Sequence, residues 1–206
     1  GVTFIMIVGL TRELRQRGIF EKIKEPNLFR FLDLVALGTV CDVVPLKGLN
    51  RCFVKAGLNI ISQRKNLGIN ALCDISDLNK IPDEETLGYK LGPKINAAGR
   101  IGSSDIGVSL LISKDISKAN ELALKLYQLN EKRKKLTNNF ILEAIGMVES
   151  EKNKIGKLPD FLFLVGENWN EGIIGILAGK IKEKYNRPCC VISLGQNHSK
   201  GSARSI

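Results

Sequence analysis

The sequence predicts an α/β protein in which a helical part and a small strand–helix–strand part are joined by one long helix. Three observations carry this reading. Residues 1–113 alternate short helical patterns with glycine-bearing loops. From Asp115 to about Glu151 the chain contains no proline, and no glycine before Gly146. After Lys157-Leu-Pro-Asp160 the hydrophobic period changes to strand, helix, strand.

In order along the chain, Asn27 to Leu37 carries Leu28, Phe31, Leu32, Val35 and Ala36 at helical spacing, and Arg51 to Ser62 repeats the pattern. Ser104 and Asp105 are suited to cap a third helix reaching Ile112. In the middle zone, Leu122, Leu126, Leu129, Leu136, Phe140, Ile141, Ala144, Ile145 and Val148 recur at helical spacing. A helix of about 35 residues is about 50 Å long and exceeds what one domain usually holds, so it reads as a strut between two domains. Phe161 to Val165 reads as a buried strand, Glu171 to Tyr185 as an amphipathic helix, and Pro188 to Leu194 as a second strand. The expected parts are residues 1–114, 115–157 and 158–206, the last an incomplete α/β domain.

Composition narrows the function. With 206 residues, 44% of them apolar, the chain can bury a core of its own. No uninterrupted apolar run is long enough to cross a bilayer, so no membrane partner is expected. The apolar opening Gly1 to Leu10 lacks a basic leader, and Thr11-Arg-Glu-Leu-Arg-Gln-Arg17 follows it without a cleavage site, so this stretch is not expected to be a secretory signal. The five cysteines form no CxxC pair, and His198 is the single histidine. That excludes a structural zinc site and reads as reduced thiols in the cytoplasm. A net charge of +10 favours a polyanionic partner, although a chain richer in Lys than Arg carries part of that charge as ordinary surface.

Four stretches carry candidate chemistry. Gly38-Thr-Val-Cys-Asp-Val-Val-Pro-Leu46 sets one carboxylate, Asp42, in an apolar run. A buried carboxylate needs a cation or a set of donors, so Asp42 reads either as a ligand for Mg2+ or Mn2+ or as a cap for the turn at Pro45. Gly92-Pro-Lys-Ile-Asn-Ala-Ala-Gly-Arg100 offers Asn96 as a donor, small residues for close approach, and Arg100 as a planar fork for phosphate; the lesser reading is a tight loop with surface cations. Trp169-Asn-Glu-Gly-Ile-Ile-Gly-Ile176 places Gly172 and Gly175 at the mouth of a helix, where backbone N–H groups suit an anion. Lys200-Gly-Ser-Ala-Arg-Ser205 reads as a small-residue loop in which Lys200, Ser202, Arg204 and Ser205 surround a phosphate. Lys132-Arg-Lys-Lys135 reads first as a solvated helix face.

Taken in order, the Asp42, Asn96–Arg100, Leu129-Asn-Glu-Lys-Arg133, Gly172 and Lys200–Ser205 motifs resemble the RecJ family of the DHH phosphoesterase superfamily, over nearly the whole chain. The resemblance implies the C-terminal part of a DHH domain, a long connecting helix and part of a DHH-associated domain, with DNA held in the groove between the two domains. It implies 5′-to-3′ exonuclease action on single-stranded DNA with two Mn2+ or Mg2+ ions, in recombination and repair. Asp42 then corresponds to the last metal-binding and catalytic Asp, and Asn96 and Arg100 to a loop beside the active site. Gly172, Lys200, Ser202, Arg204 and Ser205 then correspond to the wall that grips phosphate. The family's remaining metal motifs are expected upstream of Gly1 and its OB-fold region beyond the last residue, so the 206-residue chain alone is expected to lack nuclease activity. Asn170 stands where the family usually has His, Ala203 where many members have Gly, and Cys41 where Ala is common. Two other readings stay open: a DHH phosphoesterase of short oligonucleotides, and a non-catalytic single-strand-binding remnant. Protein partners are not specified by the residues.

Overall fold

A computed structural model of the chain describes residues 1–78 and 82–206. The elements run α1 (Val2–Gln16), α2 (Leu32–Cys41), α3 (Gly48–Ser62), α4 (Leu67–Asp74), a π-helical turn (Thr86–Leu91) continuing into α5 (Gly92–Ile101), α6 (Asp105–Leu111), α7 (Ile116–Ile155), β1 (Leu162–Glu167), α8 (Ile174–Tyr185), β2 (Cys189–Leu194) and β3 (Ser199–Arg204). The chain divides into two compact units, one of Gly1–Ile95 with Ile106–Lys125, the other of Asn96–Asp105 with Leu126–Ile206.

The first unit is helical. Leu32, Ala36 and Leu37 of α2 are buried where α2 meets α3, with its Val54 and Ile61, and the turn carrying buried Leu87 and Leu91, while Gly68 of α4 lies against buried Leu110. Phe4 of α1 meets Phe53 of α3 edge to face, 5.4 Å between ring centres. The expected helix over Asn27–Leu37 divides into a 3-10 turn (Leu28–Phe31) and α2, because the Asn27 side chain accepts from the Phe29 N–H at 3.1 Å and starts a tighter turn first.

The long helix expected from periodicity forms as α7, 40 residues, or about 60 Å at 1.5 Å per residue. Its start is capped by Asp115, whose Oδ1 accepts from the Lys118 N–H at 3.0 Å. It ends at Gly156, which adopts a left-handed φ of 79° while its N–H donates to the Lys152 carbonyl. Lys118–Glu121, Lys134–Glu131 and Lys152–Glu149 ion pairs line its exposed faces.

The second unit is an α/β layer. β1 and β2 pair in parallel, Leu162 opposite Cys189, and β2 pairs antiparallel with β3, Val191 opposite Ser202. The crossover helix α8 lies between two parallel strands, as a βαβ connection requires. Leu162, Leu164, Cys189 and Val191 on the inner sheet face join Ile174, Leu177, Ala178 and Ile181 of α8 and Ala144 and Val148 of α7 in one core. Trp169 closes that core: 3% exposed, it donates from Nε1 to Glu143 of α7 at 2.8 Å. Tyr185 makes a second tie, its hydroxyl donating to Glu149 at 2.9 Å.

Two expected loops take regular structure instead. Lys200 to Arg204 lies in the outer strand β3 rather than in a loop, because its backbone completes the ladder beside β2; Ser205 and Ile206 lie beyond it. Asn96 and Arg100 lie in helix α5 rather than in a loop: Ala97 and Ala98 are fully buried against the protein itself, and Pro93 directly follows the π-helical turn, where the regular hydrogen-bond ladder is already interrupted.

Candidate nucleic-acid interface

α5 turns its small residues inward, so Asn96, Gly99 and Arg100 fall on its exposed side. The four-residue spacing puts Asn96 and Arg100 on one face, one turn apart. Arg100 donates from Nη1 to the Gly172 carbonyl at 3.0 Å, across 72 residues of chain. Gly172 lies so close that a side-chain carbon there would overlap the Arg100 backbone carbonyl. A glycine is required at this position by contact, not by turn conformation.

Gly172 opens the turn into α8. Its N–H donates to the Asn170 side chain at 2.9 Å, and the Asn170 carbonyl accepts from Ile173 and Ile174. Asn170 is thus the cap of this turn. The Gly172 N–H, expected to face an anion, is already satisfied from within.

β3 supplies the other wall. The two-residue period of a strand puts Lys200, Ser202 and Arg204 on one face. A side-chain carbon on Gly175 would lie 3.4 Å from Ser202 Oγ and 3.8 Å from an Arg204 guanidinium nitrogen, so that face meets the first turn of α8. Lys200 pairs with Glu171 at 3.3 Å, and His198 approaches the same carboxylate at 3.1 Å. Within this unit, Arg100, Gly172, Lys200, Ser202 and Arg204 therefore join into one cluster around the start of α8. Asn96 lies one turn along α5 from it, and Ser205 follows β3, exposed. Sequence reasoning missed Glu171, the acid that holds Lys200. Its only sequence signal was a carboxylate next to Gly172 in an otherwise basic set of motifs.

Asp42, in the first unit, caps the C-terminus of α2, its N–H donating to the Gly38 carbonyl at 3.1 Å. It is exposed rather than buried, and so are Val43 and Val44 beside it. The apolar run misled because helix α2 ends at Cys41, and the residues after it turn outward. Val43 follows in a left-handed conformation with φ of 55°. Cys41 is half-buried, its Sγ 3.7 Å from the Leu87 carbonyl, and burial together with the charge of Asp42 pushes its thiol up to about 11. Among the described residues, no group of three His, Cys, Asp or Glu comes together to hold a metal ion. A single exposed carboxylate is one oxygen donor, fewer than a two-metal centre requires.

The run Lys132–Lys135, expected as a solvated face, divides. Lys134 pairs with Glu131 in solvent, whereas Arg133 is half-buried and donates from Nε and Nη2 to the Asn130 side chain at 3.3 and 3.0 Å.

No family model matches the chain. It is 41% identical over 211 residues to the single-stranded-DNA-specific exonuclease RecJ of Haemophilus influenzae, covering all of this chain and 36% of that protein. It is 40% identical over 212 residues to the protein of the same name from Escherichia coli, covering 37% of it. The chain thus spans little more than a third of the length of the curated relatives it matches. Its fold is similar to the crystal structures of RecJ from Thermus thermophilus with Mg2+ and with Mn2+, each at 28% identity and a TM-score of 0.77 over 91% of this chain, covering 28% and 27% of those chains. Among the described residues no helix is long and apolar enough to cross a membrane.

Proposed function

Because this chain belongs to the RecJ family, we propose that its second unit is the phosphate-gripping part of a metal-dependent, single-strand-specific DNA exonuclease. The observation that carries this reading is the convergence, around the start of α8, of residues from three segments: Arg100 on the Gly172 carbonyl, Lys200 on Glu171, and Ser202 with Arg204 against Gly175. Guanidinium, ammonium and hydroxyl groups on a rigid strand and helix suit phosphodiester oxygens, and they read charge rather than base sequence. Asn96 and Ser205 extend the same exposed surface.

In this reading Asp42 is one oxygen ligand of a Mn2+ or Mg2+ centre whose other ligands lie outside the 206 residues. When bound, such a pair of ions supplies an activated water and neutralises charge developing on the scissile phosphate. The 206-residue chain alone then binds single strands and does not cut them. The RecJ-type activity from the 5′ end, its cytoplasmic place and its use in recombination and repair belong to the same proposal.

The test is a binding titration of the purified chain with a fluorescent single-stranded oligonucleotide, over a range of salt, with and without Mn2+. Binding is expected to weaken steeply with salt. Arg204→Ala is expected to lose about 1–3 kcal/mol of affinity, by a similar amount on every base sequence. No binding at low salt would reject the reading of the second unit. Mn2+-dependent shortening of the strand by the chain alone would reject the assignment of the metal centre to residues outside it.

A further inference from the structure

From Leu126 to Val148, the buried side of α7 should be apolar throughout, as it is at Leu126, Ala144 and Val148. Between them the stripe passes through Asn130, Arg133 and Thr137. Asn130 is 2% and Thr137 7% exposed. Taking an amide and a hydroxyl out of water costs free energy unless they are used. Both are used on Arg133. The Asn130 carbonyl oxygen accepts from its Nε and Nη2, and Thr137 Oγ1 donates to its backbone carbonyl at 2.8 Å.

The guanidinium so fixed stands near another. Gly102, two residues beyond Arg100, lies against the Leu129 side chain, and Arg133 follows Leu129 by one helical turn. Burial first, and then the charge of Arg100, lower the pKa of Arg133 from the ordinary arginine value, while Glu131 acts weakly the other way. Glu131 on the same helix is itself paired with Lys134. Arg100 is anchored on a neutral backbone carbonyl and Arg133 on a neutral amide. Two arginines held near each other by neutral acceptors, with burial and repulsion working against them, form a site waiting for an anion.

We propose that Arg133, oriented by Asn130, is a second phosphate-binding arginine beside Arg100, and that the two together take a phosphodiester group of a single strand. This rests on the single-strand reading above and deepens it. It adds a fork from α7 to the contacts made by β3 and the α8 turn.

The experiment is fluorescence anisotropy with a labelled oligothymidylate, whose uniform bases isolate phosphate contacts, on the 206-residue chain and its Arg133→Met, Arg133→Lys and Lys134→Ala variants. Arg133→Met is expected to weaken binding about tenfold or more and to lower the slope of log affinity against log salt by about one contact. Arg133→Lys keeps the charge and the length of the side chain but loses the planar fork, and is expected to lose about fivefold. Lys134→Ala removes a neighbouring charge from the outer face and is expected to change affinity less than about twofold. Circular-dichroism melting accompanies each variant. If Arg133→Met proves unfolded, the Arg133→Lys arm decides alone. Binding by the wild-type chain with both Arg133 variants within twofold of it would overturn this proposal and leave the single-strand reading standing. No binding by the wild-type chain would overturn both.

Discussion

The two units treat their motif residues in opposite ways. In the second, segments far apart in the chain are pulled together by specific contacts: α5 to the α8 turn through Arg100, β3 to the same turn through Lys200 and Glu171, and α7 through Trp169 and Glu143. In the first, Asp42 stands at the end of α2 in solvent, and among the described residues no group of three His, Cys, Asp or Glu gathers there. A phosphate-gripping surface can be completed by short-range packing inside one unit, because each contact is worth something alone. A two-metal centre cannot, because its ions need several ligands at once. In the proposed function, that difference separates holding a strand from cutting it.

Gly172→Ala attacks the most tightly built point of the second unit. The added methyl has no room beside the Arg100 backbone, so α5 and the α8 turn must separate. A loss of about 2–3 kcal/mol of unfolding free energy is expected in urea titrations, with single-strand binding lost alongside it. A change below about 0.5 kcal/mol would mean that the contact does not hold the two segments together.

Alkaline pH probes buried thiols in both units and, in the second, a tyrosine as well. The Cys41 thiol keeps its proton up to about 11 in the folded chain, against an ordinary value of 9.0. Above its ordinary value the unfolded chain releases that proton while the fold retains it, so the unfolded state binds fewer protons and stability falls as pH rises. The contribution is intact below about pH 9 and gone once pH passes about 11. In the second unit, burial and the bond to Glu149 push Tyr185 from 10.0 up to about 12, so its contribution is lost later. Melting temperatures measured from pH 8 to 12 are expected to decline in two stages, with Cys41→Ala reducing the earlier one, to which the buried thiols of Cys73 and Cys189 add, and Tyr185→Phe removing the later one. A single stage untouched by Cys41→Ala would contradict the packing of that thiol.

The smallest effect is expected at Asp42. Asp42→Asn keeps the shape and removes the charge of an exposed side chain, so stability is expected to change by less than about 0.5 kcal/mol. Single-strand binding by the chain is also expected to stay unchanged. A large loss of stability would show that Asp42 is structural and return it to the role of a turn cap.

Much of the fold was legible because hydrophobic spacing is a local property. The 3.6-residue recurrence from Leu122 to Val148 specified α7, and the apolar Phe161–Val165 run specified β1, whatever the rest of the chain did. The candidate cations were legible too, since Arg100, Lys200 and Arg204 lie within compact motifs of small residues. What spacing could not convey was conformation that exists only by partnership. Ser199–Arg204 has the composition of a loop and becomes a strand because the edge of β2 offers it a ladder. Gly92–Ile101 has the glycines and proline of a turn and is helical because its alanines are buried. Arg133 looked like one of four solvated cations until the Asn130 amide turned it inward.

By itself, then, the sequence determined the alternation of elements, the length of the connecting helix and the kinds of side chain available to meet phosphate, because propensity and periodicity act within a few residues of each position. Only the tertiary structure decided which of those side chains meet, that Asn170 satisfies the glycine turn, that Glu171 holds Lys200, and that Asp42 faces solvent. Those outcomes depend on distance in space between residues far apart in the chain, and no local pattern encodes it.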